Sequence, residues 1–313
     1  MRPLLRLVPD NTTIRFMRGR FAGLIVSAVL STASIVLFFV PGLNYGVDFR
    51  GGTLIELRLP GTPDLGALRA GFETLGVGEV KLQGFGSPND VLVTLDEHAT
   101  GEEVKKTVRN MLAAHFPGTE IRREDVVGAK VSSELFNSGL LASALALGAI
   151  LLYVWFRFDW HFGIGVVATL LLDITKTIGF FAVTGIQFDL NSIAAILLLI
   201  GYSVTDKVVV YDRIRENLRK RSSMALRPLI DLSLNQTLGR TVATSSTVLL
   251  SILPLAFMGD ESMRGFALSI IFGIVVGTSS SIFIAAPILL FLGQNKLGGT
   301  PSADAPVPIA LIS

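Results

Sequence analysis

Residues 21–40 read FAGLIVSAVLSTASIVLFFV, twenty positions with neither a charge nor a proline. An α-helix rises 1.5 Å per residue, so about twenty residues cover the roughly 30 Å hydrocarbon core of a bilayer. Five further stretches of that kind follow. Leu135–Phe156 is uncharged, Phe162–Ile186 carries only Asp173 and Lys176, and Leu190–Tyr211 carries only Asp206 and Lys207. Thr241–Met258 and Gly265–Asn295 carry no charge. Six spanning helices are therefore predicted. The whole chain agrees: of 313 residues 50% are apolar and 17% charged, with a mean hydropathy of +0.59, whereas soluble chains carry about 25% charged residues. That balance excludes a soluble enzyme and a disordered chain, and the lack of cysteine excludes thiol chemistry and a disulfide scaffold.

Charge is distributed unevenly between the spans. Residues 1–20 hold Arg2, Arg6, Arg15, Arg18 and Arg20 against Asp10, and 212–240 hold seven Lys/Arg against Asp212, Glu216 and Asp231. Residues 41–134 reverse the balance, with ten Lys/Arg against fourteen Asp/Glu. Basic segments mark cytoplasmic faces, so both termini and a 212–240 loop are expected inside and residues 41–134 outside. No nucleic-acid partner is expected, since the basic segments abut apolar spans and do not interleave aromatics with charge. The first span is longer than a signal peptide's apolar core, and Pro41-Gly42-Leu43-Asn44 offers no small-x-small cleavage site, so it is expected to be retained. The expected organisation is a cytoplasmic segment 1–20, a first helix 21–40, an external domain 41–134, helices two to six over 135–295, and a disordered cytoplasmic tail 296–313.

The external segment spells out one small domain. Gly52–Leu59 alternates as a strand, and Pro63–Leu75 has helical spacing behind an early proline. Glu79–Gly84 and Asp90–Leu95 are short strands around the turn-rich Phe85–Asn89. Glu102–Phe116 is an amphipathic helix with Thr100 as its expected cap, and Glu120–Val127 closes as a strand. The order strand, helix, strand, strand, helix, strand predicts a ferredoxin-like split βαβ domain, an arrangement that names no function. The fold class expected is a membrane all-α protein with this α+β insert.

Charge inside the spans carries the chemistry. An Asp or Lys at a helix centre costs about 2.5–3.5 kcal/mol on insertion scales, and such residues mark ion or proton paths unless they pair with one another or snorkel to water. Lys207, four residues before Tyr211, is expected to snorkel; for Asp206, with its short reach, both accounts stay open. Burial and a nearby cation pull a carboxyl's titration in opposite directions, so together they can bring it near the working pH. Arg240, opening the fifth span, is a candidate cation for Asp206. From it Thr244, Thr247 and Ser251 rise at helical spacing, and Tyr202 and Ser203, one turn before Asp206, are candidates to hydrogen-bond it. These hydroxyls suit a wet path, or ordinary interhelical contacts worth under about 1 kcal/mol each. In the sixth span Gly265, Ser269, Gly273, Gly277, Ser281 and Ala285 put a small residue at every fourth position, which predicts close helix packing, and Pro287 predicts a kink. No nucleotide, metal or other cofactor site is expected: none of the eight lysines follows a glycine, His98, His115 and His161 form no ligand pattern, and a serine elbow is missing. Transport or mechanical coupling driven by an ion gradient remains, and not an enzyme.

Two motifs carry a resemblance. Asn44-Tyr45-Gly46-Val47-Asp48-Phe49-Arg50-Gly51-Gly52-Thr53 resembles the signature that opens the external domain of the SecD/SecF protein-export family. Gly201–Asn217, which includes Asp206, Asp212 and Arg213, is similar to the fourth-span motif of the SecF branch, and Asn235–Thr241 and Arg264–Ala267 continue the match, over 21–292 in all. The resemblance implies half of a resistance-nodulation-division-type transporter: one helix, an external domain, then five helices. It implies an accessory subunit of the Sec translocase that, with SecD as partner and beside the SecYEG channel, uses the proton-motive force to promote export of a translocating preprotein across the inner membrane. By position Asp206 is the family's intramembrane aspartate, Arg240 its functional arginine near an aspartate of SecD, and Asp173 a third-span acidic position. Two residues depart from the pattern. The family has Asn-Asp-Thr at Thr205-Asp206-Lys207 and an uncharged residue at Lys176. A cation facing Asp206 would hold it ionised and impair proton carriage; facing Asp173, Lys207 or Lys176 would form an acid and lysine relay. Adjacent helical positions differ by about 100°, so both arrangements are open. A scaffold subunit and a homodimeric proton-driven small-molecule exporter are the rival readings.

Overall fold

The computed structural model describes residues 8–9, 12–78, 80–84, 87–95, 102–259 and 261–293. The expected cap Thr100 and the tail 296–313 lie outside the described residues. Six helices among them are long and apolar enough to cross a membrane. The chain enters through a 3-10 turn, Phe16–Gly19, and runs into α1 (Arg20–Phe39). The external part follows: α2 (Val47–Arg50), β1 (Gly52–Arg58), α3 (Leu65–Glu73), β2 (Val80–Gly84), β3 (Asp90–Leu95), α4 (Glu102–His115) and β4 (Glu120–Val127). Then come α5 (Ala129–Arg157), α6 (Trp160–Thr184), α7 (Leu190–Lys220), α8 (Leu226–Met258), α9 (Glu261–Ser280), a π turn (Ser281–Ala285) and α10 (Ala286–Gly293).

The external sheet has the order β2-β3-β1-β4 with every pair antiparallel, the arrangement of a split βαβ unit. Alternation sorts its faces. Ile55, Leu57, Val91, Val93 and Leu95 face a core with Leu68 and Phe72 of α3 and Val108 and Leu112 of α4, each large apolar side chain contributing about 1.5–3 kcal/mol on burial. Leu54 and Leu92 point the other way and meet Val47 of α2, so the second face of the sheet is also covered. Asp64 caps α3 by accepting from the Gly66 and Ala67 amides at 2.9 and 3.1 Å.

Within the helical part, α6, α7 and α9 are buried along much of their length, while α1 and α5 expose most of their apolar surface. The small-residue stripe of the last span packs α9 against α7. A Cβ on Gly273 would run into the Leu199 side chain, and one on Gly277 would lie 3.5 Å from Ser203. Across the bundle Gly179 admits α1, where an added Cβ would stand 2.7 Å from the Ser34 Cα. Ahead of Pro287, which lacks an amide hydrogen, the helix widens into the π turn, and the Tyr211 hydroxyl donates to the Ala285 carbonyl at 2.8 Å.

Two boundaries differ from expectation. Residues 212–240 are not a loop: α7 continues to Lys220 and α8 begins at Leu226. Charged residues end an apolar span but do not end a helix, and here the extensions bury Ile214, Leu226, Leu229, Ile230 and Leu234 in a second apolar core with Met17 and Phe158. Likewise α5 begins at Ala129 instead of 135.

Candidate functional site

Three helices, α6, α7 and α9, converge at Asp173. Its Oδ2 lies 2.8 Å from Lys207 Nζ on α7, and accepts from the Ser203 hydroxyl at 2.8 Å and the Ser280 hydroxyl of α9 at 2.7 Å. Lys207 also donates to Ser203 Oγ and, at 3.1 Å, to Ser280 Oγ. Each hydroxyl therefore gives its proton to the carboxylate and receives one from the ammonium, which a serine with one donor and two acceptor sites can do. Lys176, one turn on from Asp173, places Nζ 3.8 Å from Oδ1, an oxygen without a hydrogen bond among the described residues. Lys207 is 0% exposed and does not snorkel, contrary to expectation. Its stem runs into the bundle because a buried carboxylate lies there, and an ion pair with two bridging hydroxyls offsets desolvation that an isolated charge could not.

Asp206 faces elsewhere. Its Oδ1 accepts from the Thr241 hydroxyl of α8 at 2.7 Å, while Oδ2, also buried, has no hydrogen-bond partner among the described residues. Adjacent positions on one helix thus serve two sites. The Lys207 amine belongs to Asp173 and the Asp206 carboxylate to the α8 side.

Three other expected contacts are corrected. Ser203 bonds Asp173 and not Asp206. Tyr202 pairs with Ser245 at 2.6 Å, and Ser245 continues to Thr278 at 3.0 Å, a hydroxyl chain alongside the Asp206 contact. Arg240 is exposed and forms no ion pair with Asp206, and Thr244, Thr247 and Ser251 are exposed and bond back to carbonyls of their own helix. That stripe lies on the outer face of α8, because 3.6-residue periodicity puts Thr241 and Ser245 on the inner one. Sequence reasoning overlooked Ser280, Ser245, Thr278 and the role of Thr241. A run of three serines, 279–281, inside an apolar span was the available signal for the first.

The Asn44–Thr53 motif joins the external domain to the bundle. Asn44 Nδ2 donates to the Gly185 carbonyl at 3.0 Å, the Phe188 amide to the Asn44 carbonyl at 2.7 Å, and the Gly46 amide to the Phe188 carbonyl at 3.0 Å. Asp48 Oδ2 accepts from the Leu190 amide at 3.0 Å, at the first turn of α7. Phe49 lies against Phe136 and Phe188, and the Arg50 guanidinium sits over the Tyr45 ring. Gly51 and Gly52 take φ of 78° and 117°, which admits only glycine comfortably, and turn the chain from α2 directly into β1. Burial pushes the Asp48 carboxyl above its ordinary value and the Leu190 amide opposes it, while the nearby Asp189 and Asp125 add to the rise. At the far end of the bundle Asp212 pairs with Arg157 at 2.6 Å, and Arg213 with Glu216 at 2.6 Å.

Six apolar helices, an inserted split βαβ domain and a buried charge network in the bundle define a multi-pass membrane protein of the transporting or coupling kind. Known proteins narrow it. Residues 107–295 match the family described as protein export membrane protein SecD/SecF, C-terminal, and residues 36–59 match the SecD/SecF GG motif. Protein translocase subunit SecF of Rickettsia bellii (strain OSU 85-389) is 41% identical over 274 residues, 87% of this chain and 90% of that protein. The same subunit of Rickettsia rickettsii (strain Sheila Smith) is 41% identical over 87% of this chain and 89% of its own. The crystal structure of SecDF from Thermus thermophilus, a translocon-associated membrane protein, superposes with a TM-score of 0.85 at 34% identity. It covers 95% of this chain, which spans only 40% of that longer one. This chain belongs to the SecD/SecF family, as an accessory subunit of the protein translocase.

Proposed function

We propose that this subunit works with SecD and uses the proton-motive force to promote export of preprotein after it enters the SecYEG channel, in a bacterial inner membrane with both termini cytoplasmic. Ion exchange at Asp206 is the driving step. The carrying observation is that Asp206 is buried, holds one hydroxyl partner, and keeps its second oxygen unbonded, while the adjacent Lys207 is committed to Asp173. An acid in that state can gain and lose a counter-ion without first breaking an ion pair. The network of Asp173, Lys207 and Lys176 beside it supplies a second set of charges whose pairing changes as the helices move. Arg240 meets a carboxylate of SecD and gates Asp206 from outside this chain, a role that its exposure beside Thr241, the hydroxyl partner of Asp206, supports. Asp206→Asn and Arg240→Met should each abolish gradient-stimulated export in reconstituted vesicles while the complex with SecD still purifies intact. Full activity in both variants would remove the mechanism, and loss of the complex would favour the scaffold reading.

A further inference from the structure

The segment Asn44–Asp48 grips two helix ends at once. Asn44 holds the carbonyl of Gly185, the residue that ends α6, and Asp48 holds the first amide of α7. The same two helices are tied in their interiors by the ion pair of Asp173 and Lys207. With 1.5 Å per residue, Lys207 lies about 25 Å along α7 from Leu190, and Asp173 about 18 Å along α6 from Gly185. The two helices therefore form the sides of a frame, the ion pair one rung and the Asn44–Asp48 segment the other. A shift of α7 against α6 when the inner rung rearranges must appear at the outer rung, because a hydrogen-bonded helix transmits axial displacement with little loss.

The outer rung leads straight into the external domain. Four residues after Asp48, Gly52 begins β1, the strand paired on both sides within the sheet. There is no slack linker between them: Gly51 donates its amide to the Val47 carbonyl at 2.8 Å, Val47 is buried against Leu54 and Leu92, and Gln187 reaches Thr94 on β3 at 3.4 Å. The Asp48 carboxylate also sits at the positive end of the α7 dipole, which strengthens a charge-assisted bond at that point.

We infer that Asp48 is a positioning residue for energy coupling: it locks the external domain to the amino end of α7, so that movement of the charge-bearing helices is delivered to β1. The inference rests on the gradient-coupling reading above, and its test separates the two. The subunit assembled with SecD and the channel is reconstituted in vesicles under an imposed proton gradient, and ion flux and preprotein export are measured together. Asp48→Ala should conduct ions like the parent yet lose gradient-stimulated export, and Asp48→Asn, which keeps an acceptor oxygen, should retain both. The chain has no cysteine, so Tyr45→Cys with Phe188→Cys, at the bridge joining these two segments, adds one oxidisable pair. In the Asp48→Ala background this pair should restore export when oxidised and lose it again on reduction. Equal loss of flux and export in Asp48→Ala, unimpaired export in that variant, or no rescue on oxidation would each overturn the role of Asp48. If Asp206→Asn leaves flux and export untouched, the gradient reading itself fails, whatever Asp48 does.

Discussion

At the scale of single residues, the decisive fact is which way Lys207 points. An ammonium near the end of a span can reach water along its own four-carbon stem or turn inward, and the balance depends on what stands inside. Here Asp173, Ser203 and Ser280 complete its coordination. Removing one partner of such a buried pair leaves the other uncompensated, so Lys207→Met should destabilise the folded subunit by about 3–5 kcal/mol. Replacing all three charges, Asp173→Leu with Lys176→Met and Lys207→Met, should cost much less, because apolar groups of similar volume need no counter-charge and no buried cation is left without its carboxylate. Thermal unfolding of the detergent-solubilised chain checks this, and equal losses in the single and triple variants would contradict it. Asp173 and Lys207 were legible in the sequence as charges in an apolar span. Their partnership was not, since residues 34 apart in sequence meet only through packing of α6 against α7.

Single elements show how local chemistry is borrowed by tertiary contacts. Arg58 of β1 and Asp90 of β3 are cross-strand partners, and Arg58 donates to both Asp90 oxygens at 2.7 and 2.8 Å. That hydrogen bonding holds the Asp90 carboxyl below its ordinary 3.8, so its stabilisation is complete above that value and is lost as pH falls through the lower folded value. Asp48 has the opposite sign. Burial raises its folded value above 3.8, so the folded state keeps a proton that the unfolded chain has released, and stability declines as pH rises from 3.8 through that higher value. Melting curves against pH should therefore lose their acid-side slope in Arg58→Met and their slope just above pH 3.8 in Asp48→Asn. The strands, α3 and α4 of the domain were readable from alternation and spacing. The short α2 was not, because a four-residue turn has no periodicity and its stability comes from Val47 and Phe49 packing against other elements.

For the whole molecule, topology follows from where charge and aromatic rings lie. Trp155, 77% exposed, lies at the end of α5 away from the external domain, where its amphipathic ring favours the bilayer interface. Basic residues cluster beyond it. Single cysteines in this cysteine-free chain should report it: in intact cells Arg109→Cys should react with a membrane-impermeant maleimide, and Arg219→Cys should react only after the membrane is opened. The reverse pattern would overturn the proposed orientation. The outer face of α8, carrying Arg240, is open in the single subunit, which fits a chain that spans 40% of the solved SecDF chain it resembles.

Six spans, the split βαβ insert and the presence of costly charges were determined by the sequence alone, because hydrocarbon thickness and strand or helix periodicity act on neighbouring residues. Tertiary structure alone decided that Lys207 serves Asp173 while Asp206 turns to Thr241, that Arg240 faces outward, and that Asp48 seizes the start of α7. Each of those outcomes depends on which helix packs beside which, and a side chain in low dielectric takes whatever partner that packing brings within reach.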